Sequence, residues 1–364
     1  MRRTVVLAVA LAAAGAFGIG LLLRPVPQAT GPTEIEQVRA ELQGHYYRKL
    51  PPSVLARATI PKLLASLHDR YTAYLTPAEY RVARRAFAGG YGGIGITVLP
   101  APGGLLVRRT SVGSVHVQGV RPGDTIMAVD GVSTARLSYH EAVGRILGVP
   151  GTTVTLRLRR GQHTLEVKLM RQQFKLHPVH AQLVGHVGVI RITAFSSGSA
   201  AATGAAVRQL RSRGATELVL DLRGNPGGLL SQAVTVASLF LRHGSTVVSL
   251  AGAHRPLQIL YAHGAVSVRT PLAVLVDAAS ASASEVVAGA LKDHGRATIV
   301  GLPTYGKSLV QQIDRLPSGA ALKLTVARYL TPAGYDISRG GVQPDIRSRH
   351  ALVAALRLFA GRRG

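Results

Sequence analysis

The chain has 364 residues, no cysteine and a formal charge of +26, from 43 Lys and Arg against 17 Asp and Glu. Without cysteine, no disulfide contributes to stability. Such a charge draws a protein towards nucleic acid and other polyanions, but the arginines are dispersed and aromatic residues make up only 5%, which disfavours a nucleic-acid binder.

In chain order, Arg2-Arg3 precede Thr4 to Leu23, twenty apolar or small residues. As a helix this stretch spans about 30 Å, the depth of a bilayer core, so residues 1–24 read as a signal anchor with its basic end inside. A cleaved signal peptide, cut within Ala12 to Ala16, is the alternative. Residues 25–31 read as a linker and 32–87 as an N-terminal helical arm packed on the core. Short strands follow from Gly89, with a Pro122-Gly123-Asp124 turn, a helix from Ser138 to Leu147 and an alternating strand from Thr153 to Leu158. Then Glu217 to Leu222 reads as a buried strand, Arg223-Gly224-Asn225-Pro226-Gly227-Gly228 as a loop and Leu229 to Leu241 as an apolar helix. Pro271 to Val276 is a second buried strand, Glu285 to His294 a helix stopped by Gly295, and Leu352 to Phe359 a closing helix.

Two of these strand-turn-helix units carry candidate chemistry. Ser282 lies at a small-residue turn before a helix, where free N–H groups favour the oxyanion that serine attack creates. The competing reading is a capping box, Ser282 to Glu285, in which the hydroxyl only satisfies helix donors. The glycine-rich loop at 223–228 presents backbone N–H groups to an anion, or is an ordinary tight turn. Lys307 lies 25 residues after Ser282, and Gln311 four further on. Thirteen histidines are scattered without metal spacing, and no G-x-S-x-G elbow occurs; no metal and no cofactor are expected.

Taken together, Ser280-Ala281-Ser282-Ala283-Ser284-Glu285, Thr304-Tyr305-Gly306-Lys307, Gln311 and Asp221-Leu222-Arg223-Gly224-Asn225-Pro226-Gly227-Gly228 resemble the carboxyl-terminal processing peptidases, or tail-specific proteases. The stretches from Asp69 to Pro77, Tyr329 to Gly334 and Gly341 to Asp345 are similar to further landmarks of that family. Ala279, and Ser308 after the lysine, depart from its usual glycines. The resemblance implies Ser282 as nucleophile, Lys307 as general base and Gln311 as its positioning partner. It also implies an oxyanion hole from the N–H groups of Gly228 and Ala283, with Gly227 as the neighbour if the loop is shifted. Asp293 is a secondary candidate. A free lysine titrates near ~10.4, so a basic Lys307 must be depressed, mainly by desolvation; a carboxylate partner would act the other way, which ranks Gln311 above Asp293. In an extended strand Lys307 and Gln311 would be about 13 Å apart, so contact demands a turn or bulge around Gly306 to Leu309.

Residues 88–173 look like a PDZ domain, with Gly92, Gly93, Ile94, Gly95 and Ile96 as its carboxylate-binding loop; its usual Ser-Pro-Ala element is altered to Ser114-Val115-His116-Val117. The expected fold is therefore an α/β (α+β) catalytic core of strand-turn-helix units over 174–364, an inserted mainly-β PDZ domain and the helical arm. The function implied is a serine endopeptidase cleaving exported proteins near their C-termini through an acyl-enzyme; a non-catalytic peptide-binding scaffold on the same fold is the alternative. Implied partners are unfolded or tail-exposed proteins, the membrane through the N-terminal helix, and, with room left for both, an activating adaptor and a homo-oligomer. The implied location is the bacterial envelope, anchored in the inner membrane with the catalytic domain in the periplasm.

Overall fold

The structure, a computed structural model, describes residues 32–88, 90–110, 119–137, 139–175, 177–264 and 269–361. Its centre is a six-stranded sheet in the spatial order Val179–Val184, Val187–Ile192, Glu217–Asp221, Leu272–Val276, Thr298–Gly301, Ile346–Arg347. Only the first pair is antiparallel; the others run parallel. The two central strands are buried along their whole length, with apolar Leu218–Leu220 in one and Leu272–Val276 in the other, because both faces are covered. Leu218, Leu220, Leu272, Val274 and Val276 meet the helices Ser199–Ser212, Leu230–Ser238 and Ala283–Asp293 on one side. Val219, Ala273 and Leu275 meet the helix Ala351–Ala360 on the other. Since Asp221 pairs with Leu275, the loop of 223–228 and the turn of 277–282 leave adjacent parallel strands side by side. In open α/β sheets the crevice at the carboxyl ends of the strands is where ligands bind.

A second, antiparallel sheet begins one of its strands just after Lys307. Its long strand Ala321–Leu330 pairs with Ala73–Leu75, Thr246–Gly252 and Leu309–Arg315, and Arg255–Tyr261 forms an edge beyond Thr246–Gly252. Val38, Leu42, Tyr46, Leu63 and Leu67, from the helices Glu34–His45 and Ile60–Ala65 and the turns beside them, pack on Leu322, Leu324 and Val326 of this sheet.

The third body is a mainly-β module. Ile96–Ala101, Gly104–Thr110, Thr125–Val129, Thr153–Arg160 and His163–Met170 form its sheet in that order. With the helix Tyr139–Ile146 they enclose a separate core around Ile126, Leu156 and Leu158. Arg171 is buried beneath it and donates to the carbonyls of Arg145, Ile146 and Thr153 at 2.8, 3.0 and 2.6 Å. The chain enters through Gly90–Gly93 and leaves through Gln172–Lys175, which pair antiparallel as a ribbon.

The membrane expectation is corrected. Among the described residues no helix is long and apolar enough to cross a membrane; the longest, Ser199–Ser212, has 14 residues, against about 20 for a span. The stretch Thr4 to Leu23 on which the anchor rested lies outside the described residues, as does Ser114-Val115-His116-Val117. Neither the membrane as partner nor inner-membrane anchoring is retained.

Candidate active site

Three serines alternate at 280, 282 and 284, and packing separates them. Ser280 and Ser284 are fully buried, and their hydroxyls donate to the carbonyls of Leu222 and Asn225, both at 2.9 Å. Only Ser282 turns towards a cavity of about 400 Å³, which it lines with Gly228, Ala283, Lys307, Gln311 and Tyr329. The capping box of Ser282 and Glu285 is present, with the Ser282 N–H donating to Glu285 Oε2 at 2.7 Å and the Glu285 N–H reaching the Ser282 carbonyl at 2.8 Å, but a cap does not account for a hydroxyl that faces a cavity. Ser282 also holds φ +56° and ψ −114°, a conformation that costs an L-residue about 1–3 kcal/mol and clusters at functional sites.

The turn is welded to the glycine loop through Asn225, fully buried. Its Nδ2 donates to Ile192 O and its Oδ1 accepts the Gly227 N–H, both at 2.9 Å. Its own carbonyl accepts the N–H of Ala281 at 3.0 Å as well as the Ser284 hydroxyl. Gly227 sits so close to the turn that an added Cβ would lie 2.9 Å from Ser282 Cβ, and one on Gly228 would lie 2.2 Å from Phe195 O. Among the described residues the N–H groups of Gly228 and Ala283 have no carbonyl partner, and both residues line the cavity. The Gly227 N–H, committed to Asn225, is not the alternative donor. Neither Ala279 nor Ser308 has positive φ, so the departures from glycine cause no backbone strain.

Lys307 lies in the loop that leads into Leu309–Arg315, a strand of the other sheet. Burial holds its ammonium below the usual lysine range, helped by Lys323 and Arg70 and opposed by Glu285 and Asp69. Its Nζ lies 4.8 Å from the centroid of the Tyr71 ring and makes no hydrogen bond to Ser282 among the described contacts. Gly306 has φ +87°, and the register shifts between Val310 and Gln311, where Val326 is the extra residue opposite, but no Lys307–Gln311 hydrogen bond is among the described contacts. Gln311 lines the same cavity, and its Nε2 is buried without a hydrogen-bond partner.

One residue that sequence reasoning treated only as a cap joins the two halves. Glu285, fully buried, accepts the N–H groups of Ser282, Gly306 and Lys307 at 2.7, 2.7 and 3.0 Å and the Thr304 hydroxyl at 2.5 Å. Tyr329, also missed as a role, donates its hydroxyl to the Ser282 carbonyl at 3.0 Å; burial, with Glu285 beside it, pushes the phenol up, so it stays a donor. Both residues lie in motifs the sequence displays. What each touches spans up to 47 residues of chain, and no local pattern encodes that.

Asp293 is not brought to the site. It ends the helix that Ser282 begins, about 15 Å away along the axis, and accepts the Ala333 N–H at 2.9 Å. In the module, Gly92 and Gly93 are strand residues paired with Gln173 and Gln172, and the Gly92 carbonyl takes the Gly148 N–H at 2.9 Å. That leaves the buried Ile94 and Gly95, at φ +70°, as the link into the strand begun by Ile96.

Comparison with known proteins gives one consistent answer. The pattern of peptidase family S41 matches residues 186–348. A carboxyl-terminal-processing protease of Picosynechococcus is 38% identical over 299 residues, 80% of this chain and 72% of its own length. A protein of Staphylococcus aureus, described as a probable CtpA-like serine protease, is 34% identical over 86% of this chain, which spans 64% of the relative. Among solved structures, the photosystem II D1 C-terminal processing protease superposes with a TM-score of 0.60 at 30% identity, over 86% of this chain and 92% of that one. The mixed α/β core with an accessory module resembles that structure.

Proposed function

The chain belongs to peptidase family S41, the family of the carboxyl-terminal-processing serine proteases, and on that premise we propose that it cleaves proteins near their C-termini by a Ser282–Lys307 dyad. Ser282 Oγ attacks the scissile carbonyl while a neutral Lys307 Nζ takes its proton. The oxyanion is received by the Gly228 and Ala283 N–H groups. Lys307 returns the proton to the leaving amine, and water then hydrolyses the acyl-enzyme. Gln311 holds the lysine without adding charge. The single observation that carries this reading is the Ser282 side chain in a cavity shared with a desolvated lysine and two unpaired backbone donors.

The same reading assigns 88–173 as an inserted PDZ-like module and 174–364 as the catalytic domain, with the helices of 32–87 as an arm on the core. A substrate tail would add beside Ile96–Ala101, an edge strand of the module sheet, and set its carboxylate on the link at Ile94 and Gly95. The substrates are unfolded or tail-exposed proteins. The test is cleavage of an unfolded protein with an apolar C-terminus by wild type, Ser282→Ala and Lys307→Ala. Loss in both variants is expected; cleavage surviving in Ser282→Ala would overturn the mechanism.

A further inference from the structure

Lys307 has two neighbours of opposite preference. On one side its Nζ lies over the face of Tyr71. An aromatic face attracts a cation more strongly than it attracts a neutral amine. That ring is fixed. The Tyr71 N–H is bonded to Asp69 Oδ1 at 2.9 Å, and Thr72 ties the same turn to Asp69 and to the Thr325 N–H at 2.7 and 3.1 Å. The ring hydroxyl accepts from Arg70 Nη2 at 2.7 Å, and the same nitrogen reaches the Tyr305 hydroxyl at 2.7 Å. Anything that moves here is the lysine chain.

Gln311 lines the same cavity as Lys307, its Nε2 buried and unpaired. A buried donor without an acceptor costs about 1–3 kcal/mol. An ammonium cannot relieve it, having donors only, whereas a free amine offers a lone pair.

We propose that Tyr71 and Gln311 are alternative stations for Lys307: the ring holds the ammonium, and the glutamine N–H holds the free amine. The lysine gives up its proton to bulk solvent as it crosses, and only at the second station is it a base. Tyr71, Arg70 and Tyr305 are thereby positioning residues supplied in part by the segment before the module. The charged and titratable groups around the lysine are Lys323, Arg70, Glu285 and Asp69, with Tyr71 and Tyr305; the first two favour departure from the ring and the carboxylates oppose it. This inference rests on the dyad reading, but its first test does not need catalysis.

The full chain carrying Ser282→Ala is labelled with ¹³Cε-lysine, and the Lys307 resonance is assigned by its loss in Lys307→Arg. At low pH the ε-methylene protons of Lys307 are expected upfield, shifted by the Tyr71 ring. That displacement should persist in Tyr71→Phe, vanish in Tyr71→Leu, and be lost in the parent as pH rises through the titration. The high-pH resonance should respond to Gln311→Leu. In the active background, Tyr71→Leu should raise kcat/KM below the titration midpoint about threefold to tenfold, with KM little changed, because it removes stabilisation of the ammonium. A low-pH resonance identical in the parent and Tyr71→Leu, or a high-pH one indifferent to Gln311→Leu, overturns the two-station inference. So does a fall in activity in Tyr71→Leu with wild-type rates in Tyr71→Phe, since the ring would then hold the base productively. Failure of wild type to cleave any peptide counts against the protease reading alone, or marks the absence of the activating adaptor, and leaves the resonance test to decide the inference.

Discussion

The amides of Ser282 and Lys307 donate to the same oxygen, Oε2 of Glu285, at 2.7 and 3.0 Å. Residues 25 apart in the chain, one capping a helix and the other in the loop before the strand Leu309–Arg315, are thus referenced to one atom. Substituting Glu285 by Gln puts an amide where four donors converge, so at least one is left facing another donor. The expected result is a kcat lower by about 10-fold to 100-fold and stability lower by about 2–3 kcal/mol, read by steady-state kinetics and urea unfolding. Retention of wild-type kcat would show that the dyad is aligned by other contacts.

The three alternating serines should separate cleanly. Ser280→Ala and Ser284→Ala each remove a buried hydrogen bond and leave a carbonyl short, so each should lose about 1–2 kcal/mol of stability while keeping measurable activity. Ser282→Ala should abolish activity without loss of stability. Ser282→Gly should be more stable than wild type by about 1 kcal/mol, because glycine relieves the positive φ. Thermal melts of the four variants beside their activities check the whole set.

The pH response follows from the depressed Lys307. In the proposed dyad the base is the neutral amine, so kcat/KM should rise with pH and level off above a midpoint lying below the ordinary lysine range. The same shift bears on stability. The unfolded chain binds the proton more tightly than the native one, so stability rises with pH from the native pKa up to about 10.4, and the penalty is fully present below the native pKa. Lys307→Met should therefore be inactive, yet more stable than wild type at neutral pH by about 1 kcal/mol. An unchanged or lower midpoint of unfolding at pH 7 would mean that the ammonium is not buried at a cost.

Gly228→Ala tests the proposed oxyanion hole. The added Cβ meets Phe195 O at 2.2 Å, at a φ of +142°, so the loop must shift and carry the free N–H with it. Loss of one such donor lowers kcat about 100-fold to 1,000-fold, and KM should move far less. A proportionate loss in KM alone would point to a substrate-contact role instead.

Much of this site was legible because its chemistry sits in short runs. The 223–228 loop, Ser282, Lys307 and Gln311 can be read in order along the chain. The irregularity beside Gln311 lies opposite it, at Val326 on the partner strand; a strand's own sequence cannot announce a bulge in its neighbour. Asp293 looked near because one helix separates it from Ser282, but a helix puts its ends far apart. Glu285 and Asn225 were visible only as motif letters, since their roles lie in donors gathered from several segments. Gly92 and Gly93 read as loop residues because glycine suggests a turn; here the absence of a side chain serves close approach instead, with the Gly148 carbonyl 2.1 Å from where a Gly92 Cβ would stand.

The ribbon of Gly90–Gly93 and Gln172–Lys175 has a further consequence for the protein as a construction. Strands of the parallel and antiparallel sheets alternate along the sequence from Val179 to Arg347, so no cut there yields two folding halves. The intervening module is different in kind. Gly90 and Lys175 stand opposite each other in register, at the separation of about 5 Å that a two-residue hairpin turn bridges. Closing the chain at that point is expected to leave a shorter protein that still folds, a detachable appendage having been removed from an indivisible engine.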